Sequence, residues 1–337
     1  MKKHLFFAAA LFALAACNND ENLPTDDPNA PVEICLSSGI EVQTRATHNL
    51  DEALKEGETV HVWVDDAKDK QTVVTKENLC VNNIFTVEAG GGLSPDAAQG
   101  GETMYFPETG NNVNIYAIHG NLAEETNYTD FWGTALTHTV EQDQRSSVTT
   151  AGEGYAVSDL VYAKNTGVSR NGNPTTVDLT FRHLLSKVEV VLVQGAGNPN
   201  VEKVEILNTK LNAEFPPSKT DDFEVIAKGE ITDANPIVID NGTTTAEDAA
   251  KTDTDEGKVL NEAVIVPQTL TGETEFIRLT TTAGGVLVYK IPTEGKTFDP
   301  GKKYRYTITA NLTELEVTAS IEPWGYDDSI TGDAEME

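Results

Sequence analysis

Positive charge is what this chain lacks most: 24 Lys and Arg stand against 54 Asp and Glu, a formal net charge of −30 over 337 residues. A field of that sign repels polyanions, so neither nucleic acid nor an anionic lipid surface is expected as a partner. Cysteine is nearly absent. Cys17, Cys35 and Cys80 are the only three, too few to set a disulfide framework. Cys35 and Cys80 are able to pair in an oxidising compartment. Each is flanked by aliphatic residues, however (Ile34 and Leu36, Leu79 and Val81), and reads better as a small buried hydrophobe.

Catalytic signatures are missing as well. The six histidines are widely scattered. The sequence holds no His-Glu-x-x-His zinc pattern, no Cys-x-x-Cys pair and no Gly-x-Ser-x-Gly elbow. Gly195 and Gly197 follow an apolar run as in a dinucleotide fingerprint, yet Asn200 replaces the third glycine and Pro199 stops the helix that motif requires. Asp253, Asp255 and Glu256 suggest calcium, but Gly257 and Lys258 fall where an EF-hand needs ligand and turn residues. Asp65-Asp66 and Asp221-Asp222 read as turn pairs. No catalytic residue, metal site or cofactor is assigned, and the chain is read as a non-enzyme.

Long apolar runs are absent with one exception, residues 5–16. Lys2 and Lys3 precede it. It is shorter than the ~20 residues a membrane span needs and matches the core of an export signal. It ends in Leu14-Ala15-Ala16-Cys17, which resembles the lipobox of bacterial lipoproteins, where a peptidase cuts between Ala16 and Cys17 once the Cys17 thiol is acylated. Residues 1–16 are therefore expected as signal peptide and Cys17 as the lipidated residue, anchored by acyl methylenes at about 0.8 kcal/mol each. Residues 17–31 are Asn-rich, acidic and broken by Pro24, Pro28 and Pro31, so they bury no core and read as a tether. The acids from Asp20 onward resemble the signal that sends lipoproteins of some anaerobic Gram-negative bacteria to the cell surface. A lipid-anchored location at the outer membrane is the expectation.

From Val32 onward the dominant hydrophobic period is two. Val60, Val62 and Val64 alternate with His61, Trp63 and Asp65. Val177, Leu179 and Phe181 repeat the pattern, as do Val188 and Val190, Val286 and Val288, Tyr304 to Ala310, and Leu315, Val317, Ala319 and Ile321. Alternation broken by Gly, Pro, Asn and Asp clusters predicts half-buried antiparallel strands, an all-β chain. Short helical pieces are expected only near residues 49–54 and 183–186. Length favours two sandwich domains, residues 32–165 and 174–326. The polar run 164–174 is the expected joint, 89–101 an expected loop, and 327–337 an acidic tail.

Several motifs in order resemble the fimbrillin family of type V pilus subunits and accessory lipoproteins. They are Thr44-Arg45-Ala46, then Val60-His61-Val62-Trp63-Val64, then the run from Leu179 to Val188. Val264-Ile265-Val266-Pro267-Gln268, the tyrosine-bearing run 301–310 and Ile321-Glu322-Pro323-Trp324 follow. The resemblance covers most of the chain behind the leader and implies two tandem transthyretin-like β-sandwich domains. It also implies assembly by proteolysis-triggered donor-strand exchange, serving adhesion. A protease would cut between Arg45 and Ala46, releasing a first strand whose Val32, Ile34 and Leu36 fill the interior. Leu315, Val317, Ala319 and Ile321 of a neighbouring subunit would replace it. The implied partners are other copies or other fimbrial subunits, with a host or bacterial surface ligand beyond them. Two alternatives stay open: Arg45 as a solvated strand-end residue, and a monomeric surface lipoprotein that binds glycan or a host ligand through Trp63, Tyr128, Phe131 and Trp132.

Overall fold

The structure, a computed structural model, describes residues 31–40, 54–67, 82–122, 136–145, 147–148, 150, 153–172, 174–194, 197, 200–215, 225–229, 236–239, 260–311 and 315–323. Among these the chain is nearly all β. It begins with β1 (Glu33–Ile40), β2 (Thr59–Asp66), β3 (Asn83–Val87), β4 (Gly92–Pro95), β5 (Met104–Tyr105), β6 (Val113–His119) and β7 (Leu136–Thr139). One short helix, α1 (Gly154–Ser158), precedes β8 (Val161–Val168), β9 (Thr175–His183), β10 (Ser186–Gln194), β11 (Val201–Ile206), β12 (Asn212–Phe215), β13 (Ile226–Lys228) and β14 (Ile237–Val238). The last strands are β15 (Leu260–Ile265), β16 (Gln268–Leu270), β17 (Glu275–Thr281), β18 (Val286–Lys290), β19 (Lys296–Phe298), β20 (Lys302–Ala310) and β21 (Leu315–Pro323).

Eight strands of the first half form one sheet in the order β4-β3-β2-β6-β8-β9-β1-β5, which an added β1–β4 pairing closes into a ring, while β7 joins β12 and β13 in a three-stranded sheet. The second half holds two four-stranded sheets, β15-β10-β20-β21 and β14-β11-β17-β18. Most pairings are antiparallel, as alternation predicts; β1–β9 and β10–β20 are parallel. Inside the ring, Ile34 and Leu36 pack with Val60, Val62, Val64, Phe85, Met104, Ile115, Val177, Leu179 and Phe181. Trp63, Tyr116, Ile118 and Tyr162 point the other way and join the core of the second half, with Val188, Ile206, Phe215, Phe276 and Tyr306. β2 and β6 are thus buried on both faces. That is why Asp65 and Asp66 are themselves buried and end a strand instead of making a turn. Each carboxylate accepts from an asparagine amide, Asp65 from Asn114 at 2.6 Å and Asp66 from Asn111 at 2.9 Å.

Other expectations are corrected by pairing. The polar run 164–174 holds the end of β8 and its connection to β9, and both strands stay in the first sheet; the chain passes to the next sheet between His183 and Ser186. That passage is a bend between strands, not a helix, while the helix that does form, α1, carries no apolar periodicity long enough to announce it. The expected loop 89–101 contains β4. On β18 the inward residues are Leu287 and Tyr289, and Val286 is 57% exposed, because the register sets Leu287 opposite buried Leu279. The outer face of β10 looks like a solvent face in sequence, yet Lys187 and Glu189 are fully buried there. Lys187 lies 2.7 Å from Glu262 and 3.7 Å from Glu189, with its ammonium 5.6 Å from the centre of the Tyr155 ring on α1. Arg305 donates to Glu189 at 2.7 Å. Beside this network the Gln144 side chain bonds both N–H and C=O of Val264, as a strand would.

Candidate functional site

β1 occupies the position that closes the ring. On one side it runs parallel to β9, from Ile34 opposite Thr175 to Ile40 opposite Phe181. On the other it meets β4 at Leu36 and Ser37, then β5 at Glu33 and Ile34. Phe106 N–H donates to Val32 C=O at 2.9 Å, extending the ladder one residue earlier. At the other end both the N–H and the hydroxyl of Ser38 donate to Gly91 C=O, at 2.7 and 2.9 Å. Gly91 has φ +86°, and a Cβ there would stand 2.9 Å from Ser38 O, so only glycine lets the β3–β4 turn approach β1 this closely.

The strand is amphipathic across the ring wall. Ile34 and Leu36 are 3% and 4% exposed in the core, with Val32 packed against its margin. Full burial of two such aliphatic side chains is worth roughly 1.5–3 kcal/mol each. Their removal would leave an apolar groove between β9 and β4/β5, lined on both sides by backbone groups without partners. Ser37, on the opposite face, donates its hydroxyl to Asp178 on β9. Burial raises the Glu33 carboxyl above the ordinary glutamate range. Its register partner Tyr105 is raised too, by burial and then by the Glu33 charge. Cys35, matched with Thr176, is buried and disulfide-bonded. The expectation of a free apolar thiol is corrected here: aliphatic neighbours reveal burial but carry no information about a distant sulfur.

β21 is the edge strand of its sheet and pairs antiparallel with β20, Ile308 opposite Val317 and Tyr304 opposite Ile321. Val317 packs against the core, but Ala319 is exposed and Ile321 is 53% exposed. The apolar row on β21 therefore runs past the core that it borders. β1 and β21 belong to different sheets and share no pairing. Ala16, Cys17, Arg45 and Ala46 lie outside the described residues, as do Cys80, Tyr128, Phe131 and Trp132. Trp63 is buried, 3% exposed, and stacks on His61, so it offers no ligand platform. The described residues contain no cluster of side chains able to hold a metal ion, and no helix long and apolar enough to cross a membrane. Sequence reading missed β5 and Phe106, which flank β1 on its second side; the apolar Met104 and Phe106 around Tyr105 were the available signal.

Comparison with known proteins agrees with this architecture. A Bacteroides ovatus protein assigned to cell adhesion superposes with a TM-score of 0.61 at 19% identity, over 89% of this chain and 100% of its own. A Bacteroides uniformis protein with the same assignment gives 0.54 at 21% identity, over 87% and 99%. The tip fimbrial protein Mfa3 of Porphyromonas gingivalis gives 0.47 at 13% identity, over 88% and 100%. No curated protein matches the chain significantly. The family model described as fimbrillin-like matches residues 44–324, most of the sequence. The chain belongs to the fimbrillin-like family.

Proposed function

We propose that this chain is a surface lipoprotein that serves as a fimbrial subunit or accessory protein in adhesion, assembling by donor-strand exchange after proteolysis between Arg45 and Ala46. Cys17 carries the lipid that holds the precursor to the outer membrane, and its partners are other fimbrial subunits. One observation carries the assembly step: β1 is a ring-closing strand with Ile34 and Leu36 in the core and partners on both edges. A cut in the segment after Ile40 leaves such a strand held only by its ladders to β9 and to β4 and β5 and by one apolar face. β21 supplies the complementary element, an edge strand with an apolar row that its own core covers only in part. Three large apolar side chains buried in the vacated groove are worth roughly 5–9 kcal/mol before association costs.

The Arg45→Ala variant tests this. Protein extracted from the cell surface is expected to begin at Ala46 in the wild type and to form ladders on unheated detergent gels. In the variant it should remain uncut and monomeric. Wild-type protein that begins only at Cys17 and runs as a monomer would overturn the assembly reading.

A further inference from the structure

We propose that the Cys35 disulfide is a redox lock on the first strand: while it is intact, a cut after Arg45 leaves β1 attached in its groove, and the subunit accepts no donor strand until a dithiol reduces the bond. The inference rests on the donor-strand reading above. Cys35 is one half of a disulfide, and the sequence offers it two partners, Cys17 and Cys80. Acylation consumes the Cys17 thiol, which leaves Cys80. Arg45 lies between Cys35 and Cys80 in the chain, so breaking the peptide bond there does not separate β1 from the body of the protein.

The place of Cys35 within the strand strengthens the effect. It stands between Ile34 and Leu36, the two residues that fill the core, and opposite Thr176 in the β9 ladder. The bond therefore holds the groove-filling part of β1 and not a dangling end. A strand tethered this closely competes at an effective concentration on the order of millimolar, against a donor that must come from another molecule. Release is a two-electron exchange. A thiolate of the dithiol attacks one sulfur, the other cysteine leaves as a thiolate and takes up a proton, and the second thiol of the reagent closes its own disulfide to free the first. Two cysteine thiols and one oxidised reagent result.

Limited digestion of the full extracted protein with a trypsin-like protease, read on denaturing gels with and without dithiothreitol, tests the lock. The fragment ending at Arg45 is expected to stay with the body without reductant and to separate with it. A fluorescent peptide copying residues 313–321 should bind the cleaved protein at least ~100-fold more tightly after reduction. The Cys80→Ser variant should lose the fragment on a denaturing gel with no reductant. Release of the wild-type fragment without reductant, its retention by Cys80→Ser, or equal peptide binding before and after reduction would each overturn the lock. Should the reducing gel show no cut at Arg45, the processing reading fails by itself. A viral-protease site placed at residues 42–47 then decides the lock separately, by retention or release of the fragment without reductant.

Discussion

Glu33 lies where β1 meets β5, and burial raises its carboxyl above the ordinary value of 4.5. The folded state therefore binds this proton more tightly than the unfolded chain does. The resulting stability is fully present below the ordinary glutamate pKa and is lost as pH rises through the raised value. Glu33→Gln removes that dependence. The protection of β1 amides against hydrogen exchange is expected to fall between about pH 4 and 7 in the wild type by more than it falls in the variant; equal slopes would contradict the assignment. At this scale the sequence was legible where near neighbours decide a side chain's surroundings. The alternation of Ile34 and Leu36 marks an inward face, and both are in the core. Where distant residues decide, it was opaque. Nothing around Cys35 announces its bond, and nothing near Trp63 says that the second half of the chain covers it.

Among the elements, β21 separates monomer stability from assembly. Ile321 is half exposed, so Ile321→Lys should change the melting free energy of the monomer by no more than about 0.5 kcal/mol. The same change places an ammonium on the row that the proposed exchange sends into an apolar groove, and on that proposal ladder formation on unheated gels should be lost. Val317 packs against the core, so Val317→Asp should destabilise the monomer as well, by roughly 1–3 kcal/mol. Identical thermal shifts for the two variants would mean that β21 is seated differently. Alternation located the strands but not their directions. β1 and β10 take parallel partners because the connecting chain returns across the sheet, which local pattern does not encode. On β18 the sequence shows valines at alternating positions, and the structure turns Val286 outward because Leu287 and Tyr289 are the larger inward payload.

Over the whole molecule, the ion network on the outer face of β10 sits where the first half covers the second. Lys187 neutralises Glu262 and stands beside Glu189, all three buried. Lys187→Met removes the ammonium 2.7 Å from the buried Glu262 carboxylate and is expected to cost about 3–5 kcal/mol. Adding Glu262→Leu should recover part of that loss, and a double variant no better than the single would refute the pairing in denaturant titrations. The pattern Lys187-Val188-Glu189-Val190 reads as a wet face, since sequence does not show that Tyr155 and Gln144 return to cover it. The same long-range closure governs how the chain comes into being. Ser37 bonds Asp178 across a separation of 141 residues. At roughly 5–20 residues per second of synthesis, β1 emerges on the order of ten seconds before the strand it must lie beside. For that interval β1 can pair only with β4 and β5, and the edge that β9 will cover stays open to another chain. The ring can close only when the residues around 180 have arrived, so the oldest strand of the fold is the last to be sealed.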